Sequence, residues 1–341
     1  MIRTSTFRPA WWLTNRHLQT IFPNTLRRQP RLALRRERLE LPDGDFVDVD
    51  WTTDSSGPIV IVLHGLEGSI DSRYASGIMR TLDRRGWRGA LLHHRGCSGE
   101  INRLASGYHS GQTADLDYFI KLLRQREPGT PLAAVGYSLG GNVLLKWLGE
   151  TRNADALQAA VAISVPMRLD LCSDGINRGF SKVYQSHLMR RMRRTALRKI
   201  DAGILDMPKQ AVRKLKTFRQ FDDALTGPLH GFGNAETYYA QCSSRQFLKH
   251  IATPTLIIQS RDDPFMTPEV IPSARELSGQ VILELAEHGG HVGFVGGAWP
   301  WRARYWLEDR IPAFLEDFLE KDATGDVTEV LEYRQFRQPA P

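Results

Sequence analysis

The stretch that decides the fold is LAAVGYSLGG, residues 132–141. Residues 132–136 form an apolar run typical of a buried strand, and residues 139–148 have the pattern of a helix. The turn between them, G-x-S-x-G, is so tight that a Cβ on either flanking glycine would collide with neighbouring backbone. The stretch therefore predicts a strand–turn–helix that exposes the Oγ of Ser138 as a nucleophile.

The same alternation of short apolar runs and helical patterns continues along the middle of the chain. Both faces of the runs are apolar, as in parallel strands that are covered by helices on both sides. The turn Asp43-Gly44 predicts an antiparallel hairpin before them, so the expected class is α/β with a mostly parallel sheet. The predicted strands are 38–41, 46–51, 58–63, 89–93, 132–136, 159–164, 254–259 and 280–285, and the predicted helices are 73–85, 113–125, 139–148 and 302–319.

The chain has 341 residues, which suits one large α/β domain with an insertion. About ninety residues without strand character follow the predicted strand 159–164, and this is too long for a simple connection. We therefore predict a helical lid inserted at about 167–252. The other predicted boundaries are a basic N-terminal arm at 1–38, a catalytic domain at 39–320 and a polar tail at 321–341.

A serine hydroxyl needs a base to take its proton, and chain position selects among the ten histidines. His291 lies in the glycine-rich loop HGGHVGF, residues 288–294, directly after the last predicted strand. Loops after the carboxyl ends of parallel strands converge on one crevice, so His291 is the candidate base. We interpret the alternative, His288, as a loop residue hydrogen-bonded to backbone.

An acid must hold the imidazole in one tautomer. Asp262 and Asp263 both follow the predicted strand 254–259, and either side chain would reach the same edge of the sheet. We favour Asp263 because it precedes Pro264 at the apex of the turn. We expect Asp262 to pair with Arg261 or with solvent. The chain order of the candidates is then serine, aspartate, histidine, each at the end of a predicted strand.

The negative charge that develops on an ester carbonyl needs N–H donors, which form an oxyanion hole. The backbone amide of Leu139, directly after the nucleophile, is the first candidate. The run HGLEG, residues 64–68, supplies the second, because Gly65 allows close approach and Leu66 presents its amide. We interpret His64 as ordering this loop through hydrogen bonds, since no metal-ligand spacing accompanies it.

Seven motifs carry a resemblance to the α/β-hydrolase superfamily, and within it to the YheT-like esterases of the AB-hydrolase-4 family. The resemblance covers roughly residues 10–320. It implies Ser138, Asp263 and His291 as a charge-relay triad, and hydrolysis of a carboxylic ester without a cofactor. The motifs are NRHLQT (15–20), LPDGDF (41–46), HGLEGS (64–69), RGCSGE (95–100), GYSLGGN (136–142), DDPF (262–265) and HGGHVGF (288–294).

Composition and charge restrict the function further. The three cysteines are too few and too widely spaced for a disulfide framework, and no apolar run is long enough to span a bilayer. The N-terminus has no apolar core of a signal peptide, so we expect a cytoplasmic protein. The net charge of +7 is segregated: residues 1–38 carry nine basic residues against one acidic, residues 182–219 carry twelve against two, and the remainder is net −11.

The second basic segment predicts an amphipathic helix over residues 181–200, within the lid. Such a helix can contact an anionic membrane, an acyl chain or a phosphate-bearing substrate, whereas the alternative that we favour is a solvated outer face. No nucleic-acid reader motif accompanies the charge, so we expect no nucleic-acid partner. The predicted apolar side holds Val183, Tyr184, His187, Leu188, Met192, Ala196 and Ile200, and the basic remainder holds Arg190, Arg191, Arg193, Arg194, Arg198 and Lys199.

The residues together predict a serine carboxylic-ester hydrolase that acts on a small-molecule acyl ester through an acyl-enzyme. No cofactor or metal is expected. One alternative is an acyltransferase that uses the same triad and passes the acyl group to an alcohol other than water. Another is a lipid-surface binding protein with a vestigial hydrolase site. For the protein as a whole we expect a cytoplasmic location, which becomes peripheral at the inner membrane face if the basic lid helix contacts anionic lipid.

Overall fold

A nine-stranded sheet forms the centre of the computed structural model, which describes residues 1–52 and 56–320. The predicted tail, 321–341, lies outside the described residues. The strands are β1 (Ile2–Thr4), β2 (Arg35–Glu40), β3 (Phe46–Trp51), β4 (Ile59–Leu63), β5 (Arg88–Leu92), β6 (Leu132–Tyr137), β7 (Ala159–Ile163), β8 (Thr255–Ser260) and β9 (Val281–Ala286). Their order is β1-β9-β8-β7-β6-β4-β5-β3-β2.

Strand pairing confirms the predicted class. Every neighbouring pair from β1 across to β5 is parallel. The hairpin β2–β3 is antiparallel and joins the sheet because β3 pairs with β5. In a parallel sheet the carboxyl ends of the strands lie at one edge, so the loops after β4, β6, β8 and β9 meet there.

Helices cover both faces of the sheet. They are α1 (Arg16–Thr25), α2 (Arg73–Arg84), α3 (Ala114–Arg126), α4 (Leu139–Thr151), α5 (Leu169–Ile176), α6 (Ser181–Asp201), α7 (Lys209–Lys214), α8 (Phe218–Phe221), α9 (Gly227–Leu229), α10 (Ala235–Cys242) and α11 (Trp306–Leu319). In β4, Ile61 packs in a cluster with residues of α3 and α4, while the next residue, Val62, packs with residues of α2 and α11. Alternate side chains of one strand thus enter two different cores, which explains why its sequence is continuously apolar.

The long segment between β7 and β8 is fully described and contains helices but no strand. It comprises α5 to α10, a π-helical turn at Asp222–Thr226 and a 3-10 helix at Ser244–His250. Two apolar clusters lie within it, one around Tyr238 and the other joining Ala196 of α6 to Leu225. The segment therefore has buried contacts of its own beside the main sheet.

Helix α6 is present, but the prediction of its two sides is partly wrong. Val183 and His187 are exposed, whereas Lys199, predicted on the basic outer side, is buried. The Lys199 Nζ donates hydrogen bonds of 2.9, 3.2 and 2.9 Å to the carbonyl oxygens of residues 104–106. These bonds replace water around the ammonium and make its burial tolerable. In the described part of the chain no helix combines the length and hydropathy needed to cross a bilayer, and membrane contact by α6 stays a prediction.

Three features were not expected from the sequence. Strand β1 and helix α1 lie in the predicted arm, and a small antiparallel hairpin of β10 (Val295–Gly296) and β11 (Arg304–Tyr305) precedes α11. Strand β1 is short and carries no apolar run. It is joined to β9 through the buried carboxylate of Glu284, which accepts from Arg3 at 2.6 Å, Ser5 at 2.9 Å and Arg310 at 2.9 Å. A buried carboxylate with these partners stabilises an edge strand that its own residues would not specify.

Substituting Glu284 by Ala should lower the free energy of unfolding by about 3–5 kcal/mol at pH 7, because Arg310 and Arg3 would lose a buried counter-charge. Burial alone would raise the pKa of Glu284, but the two guanidinium groups outweigh it and hold the pKa below 4.5. The contribution is therefore present above pH 4.5 and is lost as the pH falls through the lowered pKa. Urea unfolding at pH 7 and in acid measures it.

The matched control is Glu287→Ala, which removes an exposed carboxylate paired with Arg261. We expect a change below about 1 kcal/mol for this solvated pair. Equal losses in both variants would contradict the role given to Glu284.

Candidate active site

The backbone at Ser138 forms a strained turn between β6 and α4. Its φ of 51° and ψ of −117° lie in a region that residues with a Cβ rarely adopt. A Cβ added to Gly136 would lie 2.6 Å from the carbonyl oxygen of Gly140, and one added to Gly140 would lie 2.6 Å from that of His64. Both obstacles are backbone atoms, so only glycine fits at either position.

The structure brings Ser138, His291 and Asp263 together, although each follows a different strand. The Ser138 Oγ lies 2.9 Å from the Nε2 of His291, and the His291 Nδ1 lies 2.8 Å from the Oδ2 of Asp263. Both the imidazole and the carboxylate are buried. A carboxylate can only accept, so Nδ1 carries the proton and Nε2 is free to accept one from the serine hydroxyl.

Asp262 has a different position from its neighbour, and the expectation that it pairs with Arg261 or solvent is wrong. Its Oδ1 accepts from the backbone N–H of Gly290 at 3.0 Å, and its Oδ2 lies 3.4 Å from the Nδ1 of His288. Arg261 pairs with Glu287 instead. His288 is thus exposed beside a carboxylate rather than hydrogen-bonded to backbone as predicted, and Asp262 orders the loop that carries His291.

Sequence reasoning missed three residues that fix the orientation of His291. Its backbone N–H donates to the Oγ1 of Thr20 in α1 at 2.9 Å, and the next amide donates to the Oγ of Ser164 at 3.0 Å. The ring of Phe265 stacks on the imidazole with centroids 4.0 Å apart and planes 9° apart. Thr20 and Phe265 lie in two of the family motifs, NRHLQT and DDPF. Their presence in these motifs is the sequence signal that could have identified them.

The predicted oxyanion loop is fixed on both sides of Leu66. The amide of Gly65 donates to the hydroxyl of Tyr74 and that of Glu67 to the hydroxyl of Tyr108, both at 2.8 Å. Leu66 and Leu139 line one cavity together with Ser138 and His291. The amide of Leu139 is the first of α4, so the helix leaves it without an intrahelical acceptor.

The histidines near this loop pack against one another. The Nδ1 of His64 bonds to the carbonyl of Gly65 at 2.7 Å, and its Nε2 accepts from the amide of His94 at 3.1 Å. Burial lowers the pKa of His94 to about 4 and that of His64 well below 6.5, so both rings are neutral. Within residues 1–52 and 56–320, no group of three or more His, Cys, Asp or Glu side chains is placed to hold a metal ion.

The cavity in front of Ser138 has a volume of about 190 Å³ and a mostly apolar wall. The segment between β7 and β8 supplies much of that wall, including Leu188 and Met192 of α6 and Leu225. Two buried acids line it, Glu67 and Asp222. Burial raises the pKa of Asp222 to about 6, against hydrogen bonds from Thr226 and Tyr239. The cavity therefore offers an apolar chain a position next to a serine hydroxyl.

A mostly parallel sheet with a serine elbow after β6, an aspartate after β8 and a histidine after β9 defines the class of α/β hydrolases. Residues 58–298 match the family model for the alpha/beta hydrolase fold. The chain belongs to this family and is a hydrolase. The resemblance predicted from the motifs is thereby confirmed.

Relatives match over most of the chain. An Escherichia coli protein named "Putative esterase YheT" is 45% identical over 320 residues, covering 92% of this chain and 94% of that protein. A mouse protein named phospholipase ABHD3 is 27% identical, covering 89% and 76%. A monoacylglycerol lipase of Saccharomyces cerevisiae is 28% identical, covering 86% and 66%.

Solved structures share the fold at low identity. The Pyrococcus furiosus esterase Pf2001 superposes with a TM-score of 0.56 at 16% identity, covering 84% of this chain and 92% of that one. The α/β hydrolase GrgF from Penicillium superposes with a TM-score of 0.57 at 15% identity, covering 85% and 100%. These likenesses concern the fold.

Substituting Gly140 by Ala should displace the turn that holds Ser138, because the new Cβ would overlap the carbonyl oxygens of Leu63 and His64. We expect at least 2 kcal/mol of destabilisation, roughly the cost of overpacking. Thermal unfolding measures the change. Gly129→Ala is the matched control, since a Cβ there meets nothing within 4 Å and its φ is not positive. A loss of stability in Gly129→Ala without one in Gly140→Ala would contradict the steric role given to Gly140.

Proposed function

We propose that this chain is a serine carboxylic-ester hydrolase in which Ser138 is the nucleophile, His291 the base and Asp263 the residue that orients the base. The observation that carries the proposal is the continuous pair of hydrogen bonds, 2.9 and 2.8 Å long, that joins the three side chains. Two relatives, one named "Putative esterase YheT" and the other monoacylglycerol lipase, support cleavage of an ester.

Acylation follows from the positions of the hydrogen-bonding atoms. The His291 Nε2 takes the hydroxyl proton as the Ser138 Oγ attacks the acyl carbonyl, and the Asp263 carboxylate stabilises the imidazolium that forms. The carbonyl oxygen becomes an oxyanion, for which the amides of Leu66 and Leu139 are the proposed donors. Collapse of the tetrahedral intermediate breaks the ester bond, and His291 gives its proton to the departing alkoxide.

Deacylation uses the same groups with water in place of the serine hydroxyl. His291 takes a proton from water while the hydroxide attacks the acyl-enzyme, and the Ser138 Oγ leaves with the proton that the imidazolium returns. The products are the free carboxylic acid, the alcohol from the first step and the unchanged enzyme. The neutral tautomer held by Asp263 is thus needed twice in each turnover.

The wall of the cavity supports an acyl chain as the group that is transferred. Leu188, Met192 and Leu225 offer apolar surface beside the nucleophile, and burial of each methylene contributes about 0.8 kcal/mol to binding. We therefore propose an ester with an apolar acyl chain as the substrate class.

Substituting Ser138 by Ala should abolish ester cleavage, lowering kcat about 10⁶-fold, because no other atom can form the acyl-enzyme. A panel of nitrophenyl esters from acetyl to palmitoyl measures the loss, and covalent labelling by a fluorophosphonate should vanish with it. Unfolding of both proteins in urea is the control for folding. Turnover or labelling that persists in the variant would overturn the proposal.

Asp262 and Asp263 provide a matched pair of substitutions. Asp263→Asn should lower kcat by about 10³–10⁴-fold, because the amide no longer selects the productive tautomer of His291. Asp262→Asn keeps an oxygen that can accept from the amide of Gly290, so we expect a loss below about tenfold. Steady-state kinetics with one nitrophenyl ester compares them. The reverse ranking would assign the acid to Asp262.

A further inference from the structure

A second cavity, which we call the arginine cleft, adjoins the catalytic one. It lies between helix α6 and the loops that follow β4 and β5, and its lining includes Arg191, Arg194 and Arg198 of α6 and His93. The two cavities share Glu67 and Thr195 as lining residues. Glu67 directly follows Leu66, and consecutive Cα atoms are about 3.8 Å apart. The arginine cleft therefore adjoins the residue whose amide is the proposed oxyanion donor.

The three arginines face the cleft together because they recur at i, i+3 and i+7 along the helix. Among the described residues none of them forms a salt bridge, and Arg198 donates only to a backbone carbonyl, that of Gly99 at 3.3 Å. A fourth guanidinium in the lining, that of Arg36, is already satisfied by both carboxylate oxygens of Asp50. None of the three α6 guanidinium groups is thus hydrogen-bonded to a carboxylate, although the charge of Arg191 acts on the nearby Glu67 and opposes the rise of its pKa.

The acids in the lining form no salt bridge with these arginines among the described residues. Burial raises the pKa of Glu67, and its carboxyl group is bonded to the hydroxyl of Tyr108 at 3.0 Å and lies 3.5 Å from that of Thr195. Asp71 is exposed and lies beside the hydroxyl of Ser69. Neither carboxylate is hydrogen-bonded to an arginine of α6, so an anion from solution would meet guanidinium donors that no carboxylate already holds.

His93 supports the lining of the cleft from its buried side. His93 is only 1% exposed and lines the cleft, with its Nε2 bonded to the Oδ2 of Asp50 at 2.7 Å. Its Nδ1 is buried and has no hydrogen-bond partner among the described residues. His93 thus fixes Asp50, which in turn holds the guanidinium of Arg36 in the lining of the cleft.

We propose that the arginine cleft binds a phosphate group. Guanidinium groups match the geometry of phosphate oxygens and can bind them through two parallel hydrogen bonds. A phosphate group carries close to two negative charges at neutral pH, which several guanidinium groups on one helix face can balance. The phosphate comes either from the head group of the ester substrate or from a free phosphate anion, and only the first source rests on the proposed hydrolase function.

Calorimetry with inorganic phosphate tests binding directly, on the full chain carrying Ser138→Ala so that the result does not depend on turnover. We expect Arg191→Gln/Arg194→Gln to weaken phosphate binding at least tenfold. The matched control, Lys182→Gln/Arg190→Gln, removes the same charge from exposed positions of the same helix that do not line the cleft, and should bind as before. Equal weakening in both pairs would overturn the proposal, since it would show general attraction to α6.

Two esters with one acyl chain, a monoacylglycerol and the corresponding monoacylglycerol 3-phosphate, identify the source in an otherwise wild-type background. If the phosphate is a head group, Arg191→Gln/Arg194→Gln raises KM at least tenfold for the phosphorylated ester and leaves the neutral one unchanged. If it is a free anion, inorganic phosphate binds but the two esters respond alike.

The proposal fails if inorganic phosphate does not bind and the two esters respond alike to the substitutions. That result leaves the hydrolase function untouched as long as the neutral ester is cleaved in a Ser138-dependent way. Conversely, the protein could bind inorganic phosphate in the calorimeter and cleave neither ester. That result would support the phosphate site and contradict the proposed hydrolase function.

Discussion

The site depends on one backbone constraint, the positive φ of Ser138, which is held by direct contact between the elbow and its neighbours. A Cβ on Gly65 would lie 3.3 Å from the Cβ of Ser138, and one on Gly140 would meet the carbonyl oxygens of Leu63 and His64. The distance between the nucleophile and the proposed oxyanion loop is therefore set by backbone packed on backbone. Side-chain motion cannot relax such a contact, so the hydroxyl is positioned before any substrate arrives.

The features that could be predicted from the sequence are those whose signal is local. Strands β4 to β9 differ from their predicted bounds by no more than one residue, because apolar runs bounded by turns report burial on both faces. The elbow and the choice of Asp263 and His291 likewise come from short motifs at strand ends. Asp263 and His291 lie 28 residues apart, and parallel topology alone brings their loops to the same edge.

What the sequence did not reveal depends on partners far away along the chain. The hydroxyl of Thr20 accepts a hydrogen bond from the amide of His291, which is 271 residues away in the sequence. Arg3 donates to Glu284, which is 281 residues away. The charge of Lys199 assigns it to solvent, yet the residue lies three positions after Ala196 on the same helix face, and three carbonyl oxygens of another loop accept hydrogen bonds from its ammonium. Periodicity reports which side of a helix is apolar. It does not report whether a polar head group will find acceptors inside the fold.

Helix α1 supports the loop that carries the proposed base, His291, from outside the region matched by the family model, residues 58–298. The Gln19 amide bonds to the backbone of Val295 as donor and acceptor, while the hydroxyl of Thr20 receives the amide of His291. A fragment cut to the matched region would retain all three proposed triad side chains and the contacts of Ser164 and Phe265, but it would lose the hydrogen bonds from α1. The alignment of the imidazole therefore depends in part on residues upstream of the matched region.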